Sequence, residues 1–244
     1  NGAVHFGDVS GQYTAYGLFG TSAYAGVGVV TRLEGNDRQT SPLLLLGIPL
    51  TQTQTLRGTY SRNTNSSASM SVLDADWLYE TSDDPYFART GVAISAGPQW
   101  QKSHFFNIFN AGTRFEFRDD TTIDTRGFAG TAAKYWPWRG HSALWASANA
   151  ALLTQSGVTN GRKRTAEHDR RGDFIAGVAH NFDGGRRDNQ FLRWRLEGGV
   201  GYHLDHSSTA LFSSDRSGPS VFFGVAWRSR GGVIHLGLSY VSKD

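Results

Sequence analysis

A chain of 244 residues with 30 glycines, 13% aromatic residues, 18% charged residues and no cysteine is long enough for one large β domain, and it excludes a disulfide framework and any thiolate metal site. The net charge of +3, with a pI near 9.3, is too dispersed for a nucleic-acid binder, which would gather its cations into one stripe. The longest apolar run, PLLLLGIPL at 42–50, is too short for a membrane-spanning helix, which needs about 20 residues. The chain starts at Asn1 without an initiator Met, as a chain trimmed of a secretory leader would.

Period two dominates from one end to the other, the mark of strands with unlike faces. In 23–34, Ala23, Ala25, Val27, Val29 and Leu33 oppose Tyr24, Gly26, Gly28, Arg32 and Glu34. In 69–80, Leu73, Ala75, Trp77 and Tyr79 oppose Asp74, Asp76 and Glu80. In 88–101, Val92, Ile94, Ala96 and Trp100 oppose Arg89, Gly91, Ser95, Gly97 and Gln99. In 105–118, Phe109, Phe115 and Phe117 oppose Asn110, Arg114, Glu116 and Arg118. In 140–154, Leu144, Ala146, Ala148 and Leu152 oppose Ser147 and Asn149. In 189–204, Leu192, Trp194, Leu196, Val200, Tyr202 and Leu204 oppose Arg193, Arg195, Glu197, Gly199, Gly201 and His203. In 218–229, Val221, Phe223, Val225 and Trp227 oppose Gly224 and Arg228.

The pattern predicts strands at 9–19, 23–34, 42–61, 69–80, 88–101, 105–118, 123–136, 140–154, 171–183, 189–204, 218–229 and 232–242, twelve in all, within one domain spanning 1–244. Segment 42–61 also reads as two short strands, because LLLLGIPL is apolar on both faces and Pro49 has no N–H for a ladder; that would make thirteen. Tight links at 20–22, 102–105, 137–140 and 230–232 alternate with longer ones at 35–41, 119–124, 156–172 and 205–217, while 62–68 and 81–87 decide nothing. Short turns at one end and long loops at the other describe an up-and-down antiparallel barrel.

Three features turn the apolar face outward, toward lipid, and the polar face toward a wet lumen. Glycines sit among the charges, where a confined interior needs small residues and a solvent face does not. Aromatics end the apolar stripes, as at Tyr79, Trp100, Tyr135, Phe182, Tyr202, Trp227 and Tyr240, like the girdles of a membrane barrel. A closed twelve-stranded barrel with an apolar interior would also leave more space than side chains can fill. Trp145 and Phe191 fall on the polar parity and speak for the alternative, a soluble sandwich or lipocalin-like barrel.

Residues 235–241, HLGLSYV, resemble the terminal β-signal of Gram-negative outer-membrane barrels in His235, Gly237, Leu238 and Tyr240, with Ser242 where a final aromatic is expected. The resemblance implies residence in the bacterial outer membrane, insertion by the barrel assembly machinery, contact with membrane lipid and lipopolysaccharide, both termini periplasmic and long loops outside. It leaves room for a periplasmic partner.

Strand parity assigns Arg32, Arg57, Arg89, Arg114, Arg118, Arg126, Lys134, Arg193, Arg195 and Arg228 to the lumen, with Glu34, Asp74, Asp76, Glu80, Glu116 and Glu197. Ten minus six leaves four positive charges, and a narrow tube with surplus arginine attracts anions. The leading expectation is a porin-like channel for small or acidic solutes or saccharides, similar in general plan to twelve-stranded oligosaccharide channels. The alternative is a plugged barrel with a structural, assembly or export role, its charges paired with one another. A third reading starts from YHLDHSS at 202–208, which resembles outer-membrane lipid hydrolases in carrying His-x-Ser at a strand end. That resemblance makes His206 a base and Ser208 a nucleophile on one face, but Thr209 stands where the family has Asn. No histidine pair has metal-ligand spacing, and no cofactor or metal is expected. The cations Arg162, Lys163, Arg164, Arg170 and Arg171 of link 156–172 suit lipopolysaccharide phosphates if that link is external.

Overall fold

A computed structural model describes residues 5–18, 23–34, 37–64, 68–82, 84, 86–110, 116–159, 162–163, 167–183, 193–207, 217–229 and 232–242. The elements are β1 (His5–Tyr16), β2 (Tyr24–Glu34), β3 (Asp37–Pro49), β4 (Gln54–Thr64), β5 (Ala68–Glu80), β6 (Gly91–Asn110), β7 (Glu116–Trp138), β8 (Ser142–Thr159), β9 (Arg162–Lys163), β10 (Glu167–Asp183), β11 (Arg193–Ser207), β12 (Gly218–Ser229) and β13 (Gly232–Ser242). All pairings are antiparallel between sequence neighbours, β10 pairs with β8, and β1 pairs with β13, so twelve staves close into a barrel. The two-residue β9 pairs antiparallel with the end of β8, on the side where β10 continues.

The predicted count is correct, but two divisions differ. Segment 42–61 is two strands, β3 and β4, joined by a turn in which Leu50 N–H donates to Gln54 O at 2.8 Å. KSHF at 102–105 is no turn: β6 runs through it to Asn110, and predicted strand 105–118 straddles the true β6–β7 connection at 111–115. The predicted loop 119–124 is likewise part of β7. The physical reason lies in the surroundings of the sheet. Past Trp100 the outward face leaves the apolar belt, so Lys102 and His104 replace the greasy stripe while the ladder continues.

Apolar residues face outward. Phe128 is 69% exposed, and Leu152 and Val200 are each 67% exposed, whereas Arg195 is 2% exposed inside. At one end of the barrel the belt closes with Trp77, Trp136, Trp138, Phe182, Trp194 and Trp227, where Trp194 stacks on Trp227 at 5.5 Å between ring centroids. At the other end stand Tyr60, Trp100, Tyr202 and Tyr240. Along β11 the belt runs from Trp194 to Tyr202, roughly 26 Å of strand, or about 20 Å of membrane normal at a tilt near 40°.

The two ends differ. The first, the turn end, carries the tight β7–β8 and β12–β13 connections. At the second, the hairpin end, β6 and β7 stand well clear of the belt, because β6 continues from Trp100 to Asn110, roughly 33 Å along the strand. His5 pairs with Ser242 at this same hairpin end, beside the β2–β3 connection. Both strand ends therefore share a side with the tall hairpin. The expectation of short turns at one end and long loops at the other is corrected here: the hairpin end also carries the short β2–β3 and β4–β5 connections, and the turn end carries the ten-residue link 81–90.

The interior is not purely polar. The ring of Trp145 lies inside, edge-on to Phe222 at 6.0 Å between centroids, and a Cβ on Gly199 would come within 3.1 Å of it. Trp145 on the polar parity thus fits the barrel. At Gly201 a Cβ would sit 1.9 Å from the carbonyl oxygen of Phe174, so close strand approach, not the bulk of a neighbouring arginine, excludes a side chain there. At Gly47 a Cβ would lie 2.0 Å from the Tyr24 ring. Gly47→Val is expected to cost about 1–3 kcal/mol by overpacking. Adding Tyr24→Ala should recover part of that loss, read from denaturant unfolding in lipid vesicles.

Candidate functional site: the β5–β6 segment within the lumen

The connection 81–90 does not project from the barrel. It folds inward across the turn end, and of its residues 83 and 85 alone fall outside the described set. Phe87 and Ala88 are each 2% exposed, and Phe87 packs with Ala226 and Val233, against which Tyr86 also lies. Polar contacts tie the segment to four strands, β1, β10, β11 and β12. Arg228 donates to both carboxylate oxygens of Asp84, at 2.6 and 2.7 Å, while its guanidinium lies over Phe87 at 4.8 Å. Arg195 donates to Ala88 O at 2.8 Å, and Asn181 donates to Phe87 O at 2.9 Å. Tyr86 Oη shares a hydrogen bond with Thr14 Oγ1 at 3.0 Å. Asp84 also accepts from the backbone N–H groups of Tyr86 and Phe87, fixing the turn that presents both rings to the wall. A two-pronged arginine–carboxylate pair with well-packed aromatics is a docking contact, not a chance loop conformation.

Behind this plug, Arg195 Nε donates to Glu197 at 2.8 Å and His235 Nε2 stands 3.4 Å from the other Glu197 oxygen. Tyr86, Ala88, Tyr135, Arg195, Glu197 and His235 line a cavity of about 120 Å³, so Tyr135, expected among the outward girdle aromatics, faces inward instead. On the wall made by β4–β7, a groove of about 190 Å³ is lined by Thr59, Asp74, Asp76, Ser95, Gln99 and Thr131 among others. There Arg57 donates to both oxygens of Asp76, through Nε at 2.9 Å and through a second nitrogen at 2.5 Å. Toward the hairpin end a third polar group fills the interior. Arg171 meets Asp169 at 2.6 Å, Gln155 donates to Asp169 at 3.1 Å, and His203 Nδ1 lies 2.5 Å from Asp173.

These positions sort the candidates. Arg57, Asp74, Asp76, Glu80, Arg193, Arg195, Glu197 and Arg228 take inward register positions. Arg89 belongs to the plug segment and donates to Gly140 O at 2.5 Å. Arg126 and Lys134 are corrected: they share the outward parity of Phe128 and Trp136, with Arg126 paired to Asp124 at 3.1 Å and Lys134 over the Trp136 ring at 5.5 Å. Trp100 pairs in register with Arg126, so the outward face turns polar at the belt edge and period two alone mistook that change for a change of face. Arg32 and Glu34 pair in register with Asp8 and Phe6, and Glu116 and Arg118 with Asn110 and Ile108, but their side chains lie outside the described residues. Arg114, Phe191 and Ser208 lie wholly outside them.

Among the described residues the expected cationic surplus does not appear. Among the described residues of the interior and its mouth, Asp8, Asp74, Asp76, Glu80, Asp84, Asp169, Asp173, Glu197 and Asp205 oppose Arg57, Arg89, Arg171, Arg193, Arg195 and Arg228; nine minus six leaves three negative charges. Most of these groups pair with one another, as the plugged alternative requires. Sequence reading missed the plug residues Asp84, Tyr86, Phe87 and Ala88. Their signal was present: a solvated link has no use for YFA, and three such residues in a row ask for a pocket.

His206 faces outward opposite Arg170, as the hydrolase reading needs, but the neighbouring carboxylates Asp169, Asp173 and Asp205 all take the inward parity. These strand carboxylates therefore lie on the opposite face of the sheet from His206. Among the described residues no group of three His, Asp or Glu side chains is placed to hold a metal ion.

No family model and no curated protein matches the chain. Among solved structures, the translocator domain of the autotransporter NalP from Neisseria meningitidis is similar, with a TM-score of 0.50 and 10% identity over 100% of this chain and 88% of that one. At that identity the likeness is one of architecture. Together with the outward apolar belt and its aromatic girdles, it gives the chain the closed, twelve-stranded antiparallel fold of a Gram-negative outer-membrane β-barrel.

Proposed function

We propose that the protein is a bacterial outer-membrane barrel that is shut at rest by its own β5–β6 segment and conducts small polar solutes only when that segment leaves the lumen. The observation that carries this reading is the docking of Asp84, Tyr86 and Phe87 against Arg228, Thr14 and Val233 inside the staves. A freely open pore has no use for a connection so closely fitted to its interior. A purely structural barrel could bury the same residues, and single-channel recording separates the two: recordable openings that multiply when the segment is weakened support the gated reading, and silence of both forms sinks it.

The reading places the turn end, and with it the inward-folded segment, outside the cell, because His5 and Ser242 share the hairpin end and the terminal β-signal resemblance implies periplasmic strand ends. The cysteine-free chain makes this directly testable. Arg139→Cys, in the β7–β8 turn, is expected to react with a membrane-impermeant maleimide on intact cells. Ser156→Cys, near the hairpin end of β8, should react only after the outer membrane is permeabilised. The reverse pattern would invert the orientation.

A further inference from the structure

Beyond the gated lumen, the outer wall at the turn end holds a hydroxyl and an imidazole in direct contact, and neither the ladder nor the plug uses them. Ser142 opens β8 and pairs in register with His180 of β10. Both take the outward parity, since Ala143, Ala179 and Asn181 are buried inside while Leu144, Val178 and Phe182 are exposed. Ser142 Oγ and His180 Nδ1 share a hydrogen bond of 2.8 Å. Contacts around the pair fix both groups. Ser142 N–H donates to Arg139 O and Asn181 N–H donates to His141 O, each at 3.1 Å, so the turn and the neighbouring strand are tied on either side of it. Phe182 meets the imidazole edge-on, with 4.5 Å between ring centroids. A hydroxyl held against a base on strand backbone, with the base braced by packing, is the arrangement that activates a nucleophile. The pair stands at the opposite end of the barrel from His206.

Depth decides what such a pair meets. Trp138 stands beside Ser142 in register, and Phe182, with Trp194 beside it, lies one step from His180 toward the turn end. Aromatic girdles of this kind mark the headgroup level of a membrane. One step the other way, Leu144 and Val178 continue the apolar belt, and Leu196 pairs with His180 itself. Acyl esters of membrane lipids lie where headgroup gives way to hydrocarbon, so an ester carbonyl comes level with Ser142 while its chain rests on Leu144, Val178 and Leu196. We propose that Ser142 and His180 are a nucleophile and its base, cleaving acyl esters of membrane lipids from the lipid-facing wall. With the ring proton on Nε2, His180 Nδ1 takes the Ser142 hydroxyl proton as Oγ bonds to the ester carbonyl carbon. The bond from that carbon to the lipid alcohol oxygen then breaks, and Nδ1 returns the proton to the leaving oxygen. Water next attacks the acyl-serine, giving one proton to Nδ1. The fatty acid leaves with the water oxygen, and the proton on Nδ1 goes back to Ser142 Oγ.

The test incubates the full chain with vesicles of phosphatidylglycerol and, separately, of lipid A, and counts released fatty acid. A fluorophosphonate probe reports the activated hydroxyl as an adduct mapped to Ser142 by mass spectrometry. Ser142→Ala is expected to drop release to the protein-free background and to abolish the adduct. His180→Gln should lower release about a hundredfold or more, the size of a lost general base. Ser147→Ala, on the inward parity of the same strand, should change neither readout. Heat-modifiable migration on gels confirms that all forms are folded. Release from either lipid with this pattern of variants supports the proposal, and the lipid that reacts shows whether phospholipid or glycolipid esters are the source. No release from either lipid, release that survives Ser142→Ala, or an equal loss in Ser147→Ala would overturn it, and the hydrogen bond would then only satisfy two polar groups against lipid. Conductance reads the plug and not this wall, so failure here leaves the gated reading standing, and failure there leaves this one.

Discussion

Replacing residues 82–89 with a Gly-Ser-Gly turn is expected to convert a nearly silent barrel into one with stable conductance steps in a planar bilayer. The flanking ladder supports the exchange, because Thr81 N–H already donates to Val92 O at 2.8 Å and a short turn can close beyond that pair. The replacement removes the Asp84–Arg228 pair, the Phe87 contact with Val233 and the two carbonyl acceptors that Arg195 and Asn181 use. Asp84→Ala alone leaves the Arg228 guanidinium half-buried without that carboxylate. Breaking a well-shielded pair from one side costs about 3–5 kcal/mol, but this pair retains some exposure, so about 2 kcal/mol is the fitting figure. That shift raises the undocked population roughly thirtyfold, enough to turn rare openings into frequent ones. The opened pore should prefer potassium over chloride, since its described interior is acidic. A plugless form that stays closed would show that something other than this segment blocks the lumen. Chloride preference would restore the arginine-rich picture drawn from strand parity.

How far the sequence carries depends on where in the barrel a residue sits. Within the belt, one face meets hydrocarbon and the other a polar interior, so alternation is strict and β11 is legible residue by residue from Arg193 to Asp205. Above the belt both faces are wet. There β6 and β7 lose their greasy stripe, KSHF looks like a turn, and Arg126 looks like a lumen residue when it stands outside. At 42–50 the opposite happens: Leu43 and Leu45 point inward while Leu44 and Leu46 point out, so the run has no parity to read. One division missed at 50–53 and one added at 102–105 cancel in the count of staves. The plug was invisible for a different reason. Parity describes what a strand presents to its two sides, and says nothing of a connection that turns back and is buried by strands far away in sequence, as Asp84 is by Arg228.

The outward face itself can be put to a stringent test, because arginine is tolerated very differently by water and by hydrocarbon. Val178 is 46% exposed at the middle of the belt, flanked in register by Leu144 and Gly198 and lying between Phe174 and Phe182 along its own strand. On a soluble barrel Val178→Arg would be a surface substitution worth within about 0.5 kcal/mol. In a bilayer it forces a guanidinium to the midplane and should destabilise the protein by about 2–4 kcal/mol. Gln99→Arg supplies the contrast. Gln99 faces inward on the groove beside Asp74 and Asp76, where a long cation finds carboxylates and room, so its cost should stay under about 1 kcal/mol. Both are read as shifts in the guanidinium midpoint of vesicle-embedded protein, followed by heat-modifiable migration. A large loss for the valine variant beside a small one for the glutamine variant is the signature of lipid outside and water within. Equal, small losses would mean that the exposed apolar stripe never meets a membrane, and the plug would then close a cavity rather than a pore.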